Sequence, residues 1–232
     1  MTSTSQPAVL VTGAGRGLGL AFARSLLFAD WRVVVDARRA DHLAGALPGA
    51  VVVPGDVTDP AHRDALASAV RALGRLDLLV NNASDLGPSP LPRLADVPLA
   101  AARQVYETNL LAPLALTQTF LPLLRASRGT VLNISSDAAV EAYEGWGTYG
   151  SSKAALDQLT AVLAAEEPEL AVYSVDPGDM RTEMHQAAFP GEDISDRAEP
   201  ESVVPALLRL LDTRPAPGRY RARDLHPIGA DA

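Results

Sequence analysis

Ala8-Val-Leu-Val-Thr12 runs directly into Gly13-Ala-Gly-Arg-Gly-Leu-Gly19, and Leu20 to Ala29 follows with helical apolar spacing. The short apolar run indicates a buried strand, the glycines a tight turn and the third segment a helix. Glycines in such a turn let backbone N–H groups approach a phosphate, and the first turn of a helix carries partial positive charge towards it. The stretch predicts a strand–turn–helix unit that holds a dinucleotide, although glycine also simply makes tight turns.

Composition narrows the class of protein. The 232 residues fit one α/β domain or two small ones, and a 47% hydrophobic fraction is enough for a packed core. The formal charge is −8 without a long basic cluster, which argues against binding nucleic acid or an anionic membrane. Cysteine is absent and the four histidines, His226 among them, have no ligand spacing, so we expect no disulfide and no metal site. Met1 to Pro7 lacks the regions of a signal peptide and no stretch could span a bilayer, which predicts a soluble cytoplasmic protein.

Strand and helix patterns alternate along the whole chain. Predicted strands cover 8–12, 32–37, 50–54, 76–80, 129–136, 171–176 and 218–222, and predicted helices cover 20–29, 60–73, 99–127, 147–167 and 202–211. Such alternation predicts the α/β class, with a doubly wound parallel sheet of about seven strands and helices on both faces. No linker or repeat divides the chain, so we expect a single domain over residues 1–232, with an irregular segment at about 179–200.

Tyr149 and Lys153 stand four residues apart at the start of an alanine- and leucine-rich helix. Residues at this spacing share one helix face, so a phenol lies near an ammonium group. A nearby positive charge favours the phenolate and lowers the pKa of a tyrosine, which fits it for proton exchange with a carbonyl or alcohol oxygen. The plainer interpretation is a pair of surface residues on a helix.

Further motifs follow the glycine turn in a fixed order. They are Thr12-Gly-x-x-x-Gly-x-Gly19, Asn81-Asn-Ala83, Asn109, Ser136, Tyr149-x-x-x-Lys153 and Pro177-Gly178. In order and rough spacing the chain resembles the short-chain dehydrogenase/reductases over nearly its whole length. The resemblance implies a Rossmann-type, NAD(P)-binding domain with a substrate loop at about 179–200. The chain departs from the family at Ser84, where glycine is usual, and we expect its Cβ to crowd the wall of the cofactor pocket.

The resemblance implies a role for each of four catalytic candidates. Tyr149 would be the general acid and base, and Lys153 would lower its pKa and bind the nicotinamide ribose. Ser136, thirteen residues before Tyr149, would hold the substrate carbonyl. Asn109 would interrupt its helix and hold a water that relays protons to Lys153, although a polar residue on a helix is common.

Cofactor contacts are likewise implied by the resemblance. They are Gly13, Arg16, Gly17, Leu18, Gly19, Arg38, Asp56, Val57, Asn82, Ala83, Tyr149, Lys153, Pro177, Gly178 and Thr182.

The choice between NADP and NAD depends on the end of the second strand. An acid there binds the ribose 2′-OH of NAD, whereas an arginine accommodates the 2′-phosphate of NADP. By the family's spacing from Gly19, the position of the acid holds Ala37, and Arg38 follows it. Arg16 in the glycine turn is a second partner for the phosphate. These residues favour NADP(H), while a one-residue slip in register would place Asp36 at the acid position and restore NAD(H).

Apolar and aromatic residues surround the predicted substrate site. Beside Ser136 and Tyr149, the candidates are Tyr143, Trp146, Met180 and Met184, with Phe189 nearby. Such a lining predicts a mainly apolar ketone or aldehyde as the substrate, although the same residues could simply pack the loop. Tyr143 is rejected as a base because Gly147, and not lysine, stands four residues after it.

These observations favour an NADPH-dependent carbonyl reductase. Two alternatives remain: an NAD-dependent alcohol dehydrogenase of the same family, and a catalytically silent protein that senses NADP(H) through a partner. The segments 99–127 and 147–167 correspond to the usual dimer surface of the family, so the resemblance also implies a homodimer or homotetramer.

Overall fold

The sheet is built from seven parallel strands within residues 6–225, the part of the chain that a computed structural model describes. The strands are β1 (Ala8–Val11), β2 (Arg32–Ala37), β3 (Val51–Pro54), β4 (Leu78–Asn81), β5 (Thr130–Ile134), β6 (Ala171–Asp176) and β7 (Gly218–Arg221). Their order across the sheet is β3-β2-β1-β4-β5-β6-β7, which confirms the predicted doubly wound fold. Met1–Ser5 and His226 lie outside the described residues.

Helices cover both faces of this sheet. They are α1 (Gly17–Phe28), α2 (Leu43–Ala46), α3 (Pro60–Leu73), α4 (Leu99–Tyr106), α5 (Ala112–Ser127), α6 (Gly147–Glu166), α7 (Glu183–Ala188) and α8 (Val204–Thr213). Alternate residues of each strand point to opposite faces, and the apolar runs of the inner strands therefore feed two cores. Val9 and Val35 belong to the core that contains Phe22 of α1, whereas Leu10 and Val34 belong to the core that contains Leu66 and Val70 of α3 and Phe120 of α5.

The carboxyl ends of β1 and β4 meet where the strand order reverses, and Thr12 joins them. Its backbone N–H and its hydroxyl both donate to the carbonyl of Val80, over 3.0 and 3.1 Å. The same hydroxyl oxygen accepts the N–H groups of Asn82 and Ala83, each over 3.0 Å. A crevice at such a reversal is where doubly wound sheets bind their ligands.

The long helical segment predicted over 99–127 is interrupted at Asn109. A π-helical turn, Glu107–Leu111, separates α4 from α5. Pro113 stands near the start of α5 and has no N–H to donate to the carbonyl of Asn109, four residues earlier. The missing donor accounts for the wider turn, a feature that is frequent at functional sites.

Two helices were not predicted. The segment 179–200 was expected to be irregular, yet it contains α7, whose start is capped by Thr182: the hydroxyl accepts the N–H of His185 over 3.2 Å. The other is α2, a single turn that is too short to show apolar periodicity. Within residues 6–225, no helix is long and apolar enough to cross a membrane.

Candidate functional site

A cleft of about 970 Å³ runs along the carboxyl ends of the strands, from the glycine turn to α7. Most residues predicted for the site line it: Gly13, Arg16, Gly17, Leu18, Arg38, Asp56, Val57, Asn82, Ala83, Ser136, Trp146, Tyr149, Lys153, Pro177, Gly178, Met180, Thr182 and Met184. The cleft therefore brings together candidates from seven separate parts of the sequence.

Three predicted residues do not line the cleft. Gly19 packs against Asn82, where a Cβ would collide with the amide. Asn109 is fully buried behind the cleft wall. Tyr143, predicted to contact the substrate, lies outside the cleft lining, and its hydroxyl stands 3.0 and 2.8 Å from carboxylate oxygens of Asp137 and Glu141. Hydrogen bonds to these carboxylates, Glu141 first, raise the pKa of Tyr143 well above its ordinary value.

The glycine turn presents the start of α1 to the cleft. Gly13 and Gly17 both have a positive φ, and the φ of Gly17 is 55° where the turn enters the helix. No side chain caps this helix and its first turn carries no acid. Because the first N–H groups of a helix have no partner within it, the end of α1 is suited to hold a phosphate group.

Asp36 does not project into the cleft as a free carboxylate. It is 1% exposed, and its Oδ1 accepts the N–H of Gly13 over 2.6 Å. Its Oδ2 lies 3.0 Å from Nε2 of His62 on α3, which is equally buried. Gly55 is needed beside this pair, because a Cβ there would collide with the imidazole ring. Both carboxylate oxygens are thus used within the fold.

Three arginines surround the neighbouring part of the cleft. Arg38 and Arg39 are exposed at the end of β2, and Arg16 pairs with Glu183 of α7 across the opening. All three line the cleft, and burial together with the charges of Arg39 and Arg38 lowers the pKa of Arg16. Such a cluster suits a phosphate dianion.

Tyr149 lies at the other end of the cleft, on the first turn of α6, and is 8% exposed. Burial raises the pKa of Tyr149 to about 12, while hydrogen bonds with Ser84 and Ser136 act in the opposite direction. The nearby charges of Asp137 and Asp176 add to the rise. The net effect on the phenol is the opposite of the one expected from the sequence, where Lys153 was taken to control it.

Lys153 is 1% exposed and lies one turn after Tyr149. Its Nζ donates to the carbonyl of Ile134 over 2.7 Å and stands 5.6 Å from the centre of the Tyr149 ring. Burial lowers the pKa of Lys153 to about 8, against the opposing charge of Asp157. The ammonium group is thereby held at the floor of the cleft.

The side chain of Asn109 fixes the loop after β4. Its Oδ1 accepts the N–H of Asp85 over 2.7 Å and the hydroxyl of Ser84 over 3.1 Å. Its Nδ2 donates to the carbonyl of Asp85 over 2.9 Å and to the hydroxyl of Ser152 over 3.0 Å. Asn109 therefore connects the π-helical turn, this loop and α6.

Sequence reasoning did not assign many of the residues that line the cleft, among them Ser84, Leu86, Asp137 and His185. Asp137 directly follows Ser136, and its carboxylate accepts the Ser136 hydroxyl over 2.9 Å. A polar residue adjoining a predicted catalytic serine was the available signal for it. No local pattern distinguishes Leu86 or His185 from residues of an ordinary loop.

An apolar group borders Tyr149 on the side of α7. Leu86, Ala138 and Ala188 are buried with the Tyr149 ring, and Trp146 and Met184 pack against them. The ring centres of Trp146 and Tyr149 are 5.6 Å apart. The predicted apolar surroundings of the tyrosine are therefore present.

Fold and cleft together define an enzyme class: a Rossmann-type oxidoreductase with a dinucleotide cleft and a buried tyrosine–lysine pair. Residues 7–193 match the family model of the short chain dehydrogenases, and the chain belongs to this family. Members of this family are NAD(P)-dependent oxidoreductases that act on the CH–OH and C=O groups of small molecules. This chain is therefore an NAD(P)-dependent oxidoreductase of the same kind.

Three similar proteins illustrate the range of the family. The chain is 37% identical to sepiapterin reductase of Mus musculus over 199 residues, which cover 77% of this chain and 76% of that protein. It is 35% identical to L-fucose dehydrogenase of Bos taurus over 180 residues, covering 75% of this chain and 66% of that protein. A short chain dehydrogenase of Escherichia coli CFT073, solved in complex with NADPH, superposes with a TM-score of 0.86 at 28% identity, covering 94% of this chain and 96% of that one.

Proposed function

We propose that the protein is an NADPH-dependent carbonyl reductase that converts a mainly apolar ketone or aldehyde to an alcohol. The observation that carries the proposal is the position of Tyr149: a buried phenol that lines the same cleft as Ser136, with its ring centre 5.6 Å from Nζ of Lys153 and an apolar wall beside it. A carbonyl oxygen placed between Tyr149 and Ser136 would meet two hydroxyl groups, and Ser136 would donate to it by turning its hydrogen away from Asp137.

The residues divide the work as follows in this proposal. When bound, the nicotinamide supplies the hydride that the carbonyl carbon accepts. Ser136 orients the carbonyl oxygen, and Tyr149 transfers its phenolic proton to that oxygen as negative charge develops on it. Lys153 would hold the ribose hydroxyls, and its charge favours the phenolate that remains on Tyr149. Asn109 fixes the position of the loop after β4 relative to α6 through its bonds with Asp85 and Ser152.

The surroundings of Asp36 support NADP(H) as the cofactor, in preference to NAD(H). Because both oxygens of Asp36 are engaged by Gly13 and His62, the acid is not free for a ribose 2′-hydroxyl. Arg38 and Arg16 stand where a 2′-phosphate would be met by positive charge. The likeness to the NADPH complex from Escherichia coli agrees with this choice.

Replacement of Arg38 tests the cofactor assignment. A charge-assisted hydrogen bond is worth about 1.5–3 kcal/mol, so Arg38→Ala should raise KM for NADPH roughly 10- to 100-fold and leave KM for NADH nearly unchanged. Arg24→Ala, an exposed change on α1, is the matched control. A wild-type enzyme that strongly prefers NADH would refute the assignment.

Replacement of Tyr149 tests the reaction. Tyr149→Phe keeps the ring that packs on Trp146 and removes the proton, so turnover of an aromatic or aliphatic ketone should fall by roughly 10²- to 10⁴-fold while NADPH still binds. Unchanged turnover would show that another group supplies the proton. A panel of neutral and acidic carbonyl compounds then tests the substrate class, since preference for acidic substrates contradicts an apolar site.

The second candidate function is an NAD-dependent alcohol dehydrogenase, the same chemistry in the opposite direction. The similarity to L-fucose dehydrogenase favours it. It differs from the first proposal in both cofactor and substrate, because a sugar needs polar partners rather than the Leu86 and Trp146 wall. Turnover of polyols with NAD⁺ but not NADP⁺ would favour this alternative.

We also propose that the protein is a homodimer or homotetramer. Leu99 on α4, Leu111 in the π-helical turn and Val162 on α6 are large apolar side chains that are 73%, 45% and 41% exposed. Contact between copies through these segments would cover them. Light scattering should give a multiple of 24.3 kDa, and a single-chain mass would exclude the assembly.

A further inference from the structure

Arg219 connects three parts of the site from β7, the strand at one edge of the sheet. Its side chain is 24% exposed, and its Nε donates to Oδ2 of Asp157 over 2.9 Å. Its Nη2 donates to the carbonyl of Ser136, also over 2.9 Å, and lies 3.5 Å from Oδ2 of Asp176. One planar guanidinium group therefore contacts α6, the segment after β5 and the end of β6.

Asp157 is a fixed anchor for this guanidinium group. It stands one turn after Lys153 on α6, and its side chain is largely buried. Its Oδ1 accepts the hydroxyl of Ser174, the residue of β6 that is paired with Arg219 in the sheet. Because each oxygen of the carboxylate has a partner on a strand, the guanidinium group is held in one orientation relative to α6.

The carbonyl of Ser136 is the second point that Arg219 fixes. The same oxygen accepts the N–H of Ala139 over 3.1 Å, within the short 3₁₀ turn Asp137–Ala139. The Ser136 hydroxyl accepts the N–H of Ala138 over 3.2 Å. Carbonyl and hydroxyl are thus attached to one turn, so a shift of the carbonyl would move the hydroxyl as well.

We propose that Arg219 is a positioning residue of the reaction, which holds the backbone of Ser136 against α6 so that the serine hydroxyl meets the substrate carbonyl beside Tyr149. The inference rests on the proposed role of Ser136 in orienting that carbonyl. Arg219 itself does not line the cleft, so it acts through Ser136 and not on the substrate or the cofactor. Loss of the guanidinium group should therefore impair turnover more than cofactor binding.

Neutralisation of buried charge is the plainer role for Arg219. Asp157 and Asp176 are both largely buried, and a carboxylate left unpaired in such a place destabilises the fold. Burial raises the pKa of Asp176, and the charges of Arg219 and Arg221 oppose that rise. Neutralisation needs only a positive charge at this place, whereas positioning needs the planar fork, with donors at two separate atoms. Substitutions can therefore distinguish the two roles.

The first test is amide hydrogen exchange followed by mass spectrometry, which needs no turnover. Arg219→Met removes both donors, so the amides of residues 136–141 should exchange roughly 10-fold faster, with a much smaller change in α3. Arg219→Lys keeps the charge and loses the fork, and it should show most of the same local increase. Arg221→Met is the matched control, because it removes a charge that also acts on Asp176 and leaves both hydrogen bonds of Arg219 in place.

The second test is a double-mutant cycle in the reduction of a ketone. Arg219→Met alone should lower kcat roughly 10- to 100-fold and leave KM for NADPH nearly unchanged, because displacement of a reacting group by about 1 Å has an effect of this order. In the Ser136→Ala background, the same substitution should change kcat by less than about threefold, since the hydroxyl that Arg219 positions is already absent. Arg221→Met should retain the kcat of the wild type.

Three results would overturn the inference. They are an equal increase in exchange over residues 136–141 and α3, full wild-type behaviour of Arg219→Lys, and losses of kcat that multiply in the double variant. If Arg219→Met folds poorly, Arg219→Lys serves in both tests. A wild-type protein that reduces no carbonyl compound would refute the proposed function, whereas a local increase in exchange would still support the hold of Arg219 on Ser136.

Discussion

Removal of the Asp36 carboxylate should destabilise the protein far more than removal of an exposed acid. Asp36→Ala leaves the N–H of Gly13 and the imidazole of His62 buried without the partners that now lie 2.6 and 3.0 Å away. Removing one member of a buried pair costs about 3–5 kcal/mol. Since a domain has roughly 5–15 kcal/mol of stability in total, the variant should lose a large share of it.

Asp59→Ala is the matched control, because Asp59 caps the same helix that carries His62. Its carboxylate accepts the N–H of Ala61 over 2.9 Å at an exposed position, and loss of such a cap costs about 1 kcal/mol. Urea denaturation followed by circular dichroism gives the free energy of unfolding of each variant. The difference between the two should be about 2–4 kcal/mol.

The free energy of unfolding, together with the affinity for NADH, distinguishes a structural role of Asp36 from a role in binding the ribose of NAD. An acid whose task is to bind the ribose of NAD would be needed for cofactor affinity and dispensable for folding. If Asp36→Ala unfolds no more readily than Asp59→Ala but loses affinity for NADH, the carboxylate is a cofactor ligand and the argument for NADP fails. If stability falls as expected, the carboxylate belongs to the structure of the glycine turn.

Three further substitutions test the geometry of the site. Gly150→Ala would put a Cβ 2.5 Å from the carbonyl oxygen of Ala138. The substitution should therefore cost roughly 1–3 kcal/mol of stability and remove most of the activity. Gly45→Ala is the control, because no atom lies within 4 Å of the added Cβ, and it should be neutral or stabilising. The pKa of Lys153 is about 8 in the folded chain against 10.5 for a free lysine, so the unfolded chain binds more protons between these values. The stability of wild type relative to Lys153→Met should therefore rise from pH 8 to pH 10 by about 2–3 kcal/mol, and a flat difference would contradict burial of the charge. Thr12→Val leaves the N–H groups of Asn82 and Ala83 without the hydroxyl that now accepts them. Denaturation should show a loss of about 2 kcal/mol of stability, and fluorescence titration should show a lower affinity for NADPH.

The sheet could be predicted because its signal is local. A parallel strand buried on both faces needs an apolar run, and the runs at β2 and β6 gave the observed bounds, Arg32–Ala37 and Ala171–Asp176. For α3, the predicted range 60–73 matches the observed Pro60–Leu73, and the proline at its first position is typical of a helix start. The bounds of α1 were less accurate: it begins at Gly17 because the last glycines of the turn already belong to its first turn.

The parts of the site that escaped prediction depend on contacts distant in sequence. Asp36 and His62 are 26 residues apart, and no sequence pattern near either residue predicts their contact. Ser84 was noticed as a departure from the family pattern, but its contact with Asn109 follows from how the loop after β4 meets the π-helical turn. The pKa of Tyr149 was misjudged because the spacing of two residues on a helix conveys their proximity and not their burial.

The proposed cofactor choice depends on residues that also pack the glycine turn. The carboxylate that could have bound a ribose holds the first glycine of the turn instead, and the position next to it, Ala37, is 7% exposed. Its Cβ lies 3.0 Å from where a Cβ of Gly15 would be, so the turn rests on the methyl group. An acid introduced at Ala37 would have to displace the turn before it reached a ribose. Under the proposed preference for NADP, a change to NAD would require more than the removal of Arg38, because the wall that excludes the acid also borders the arginines.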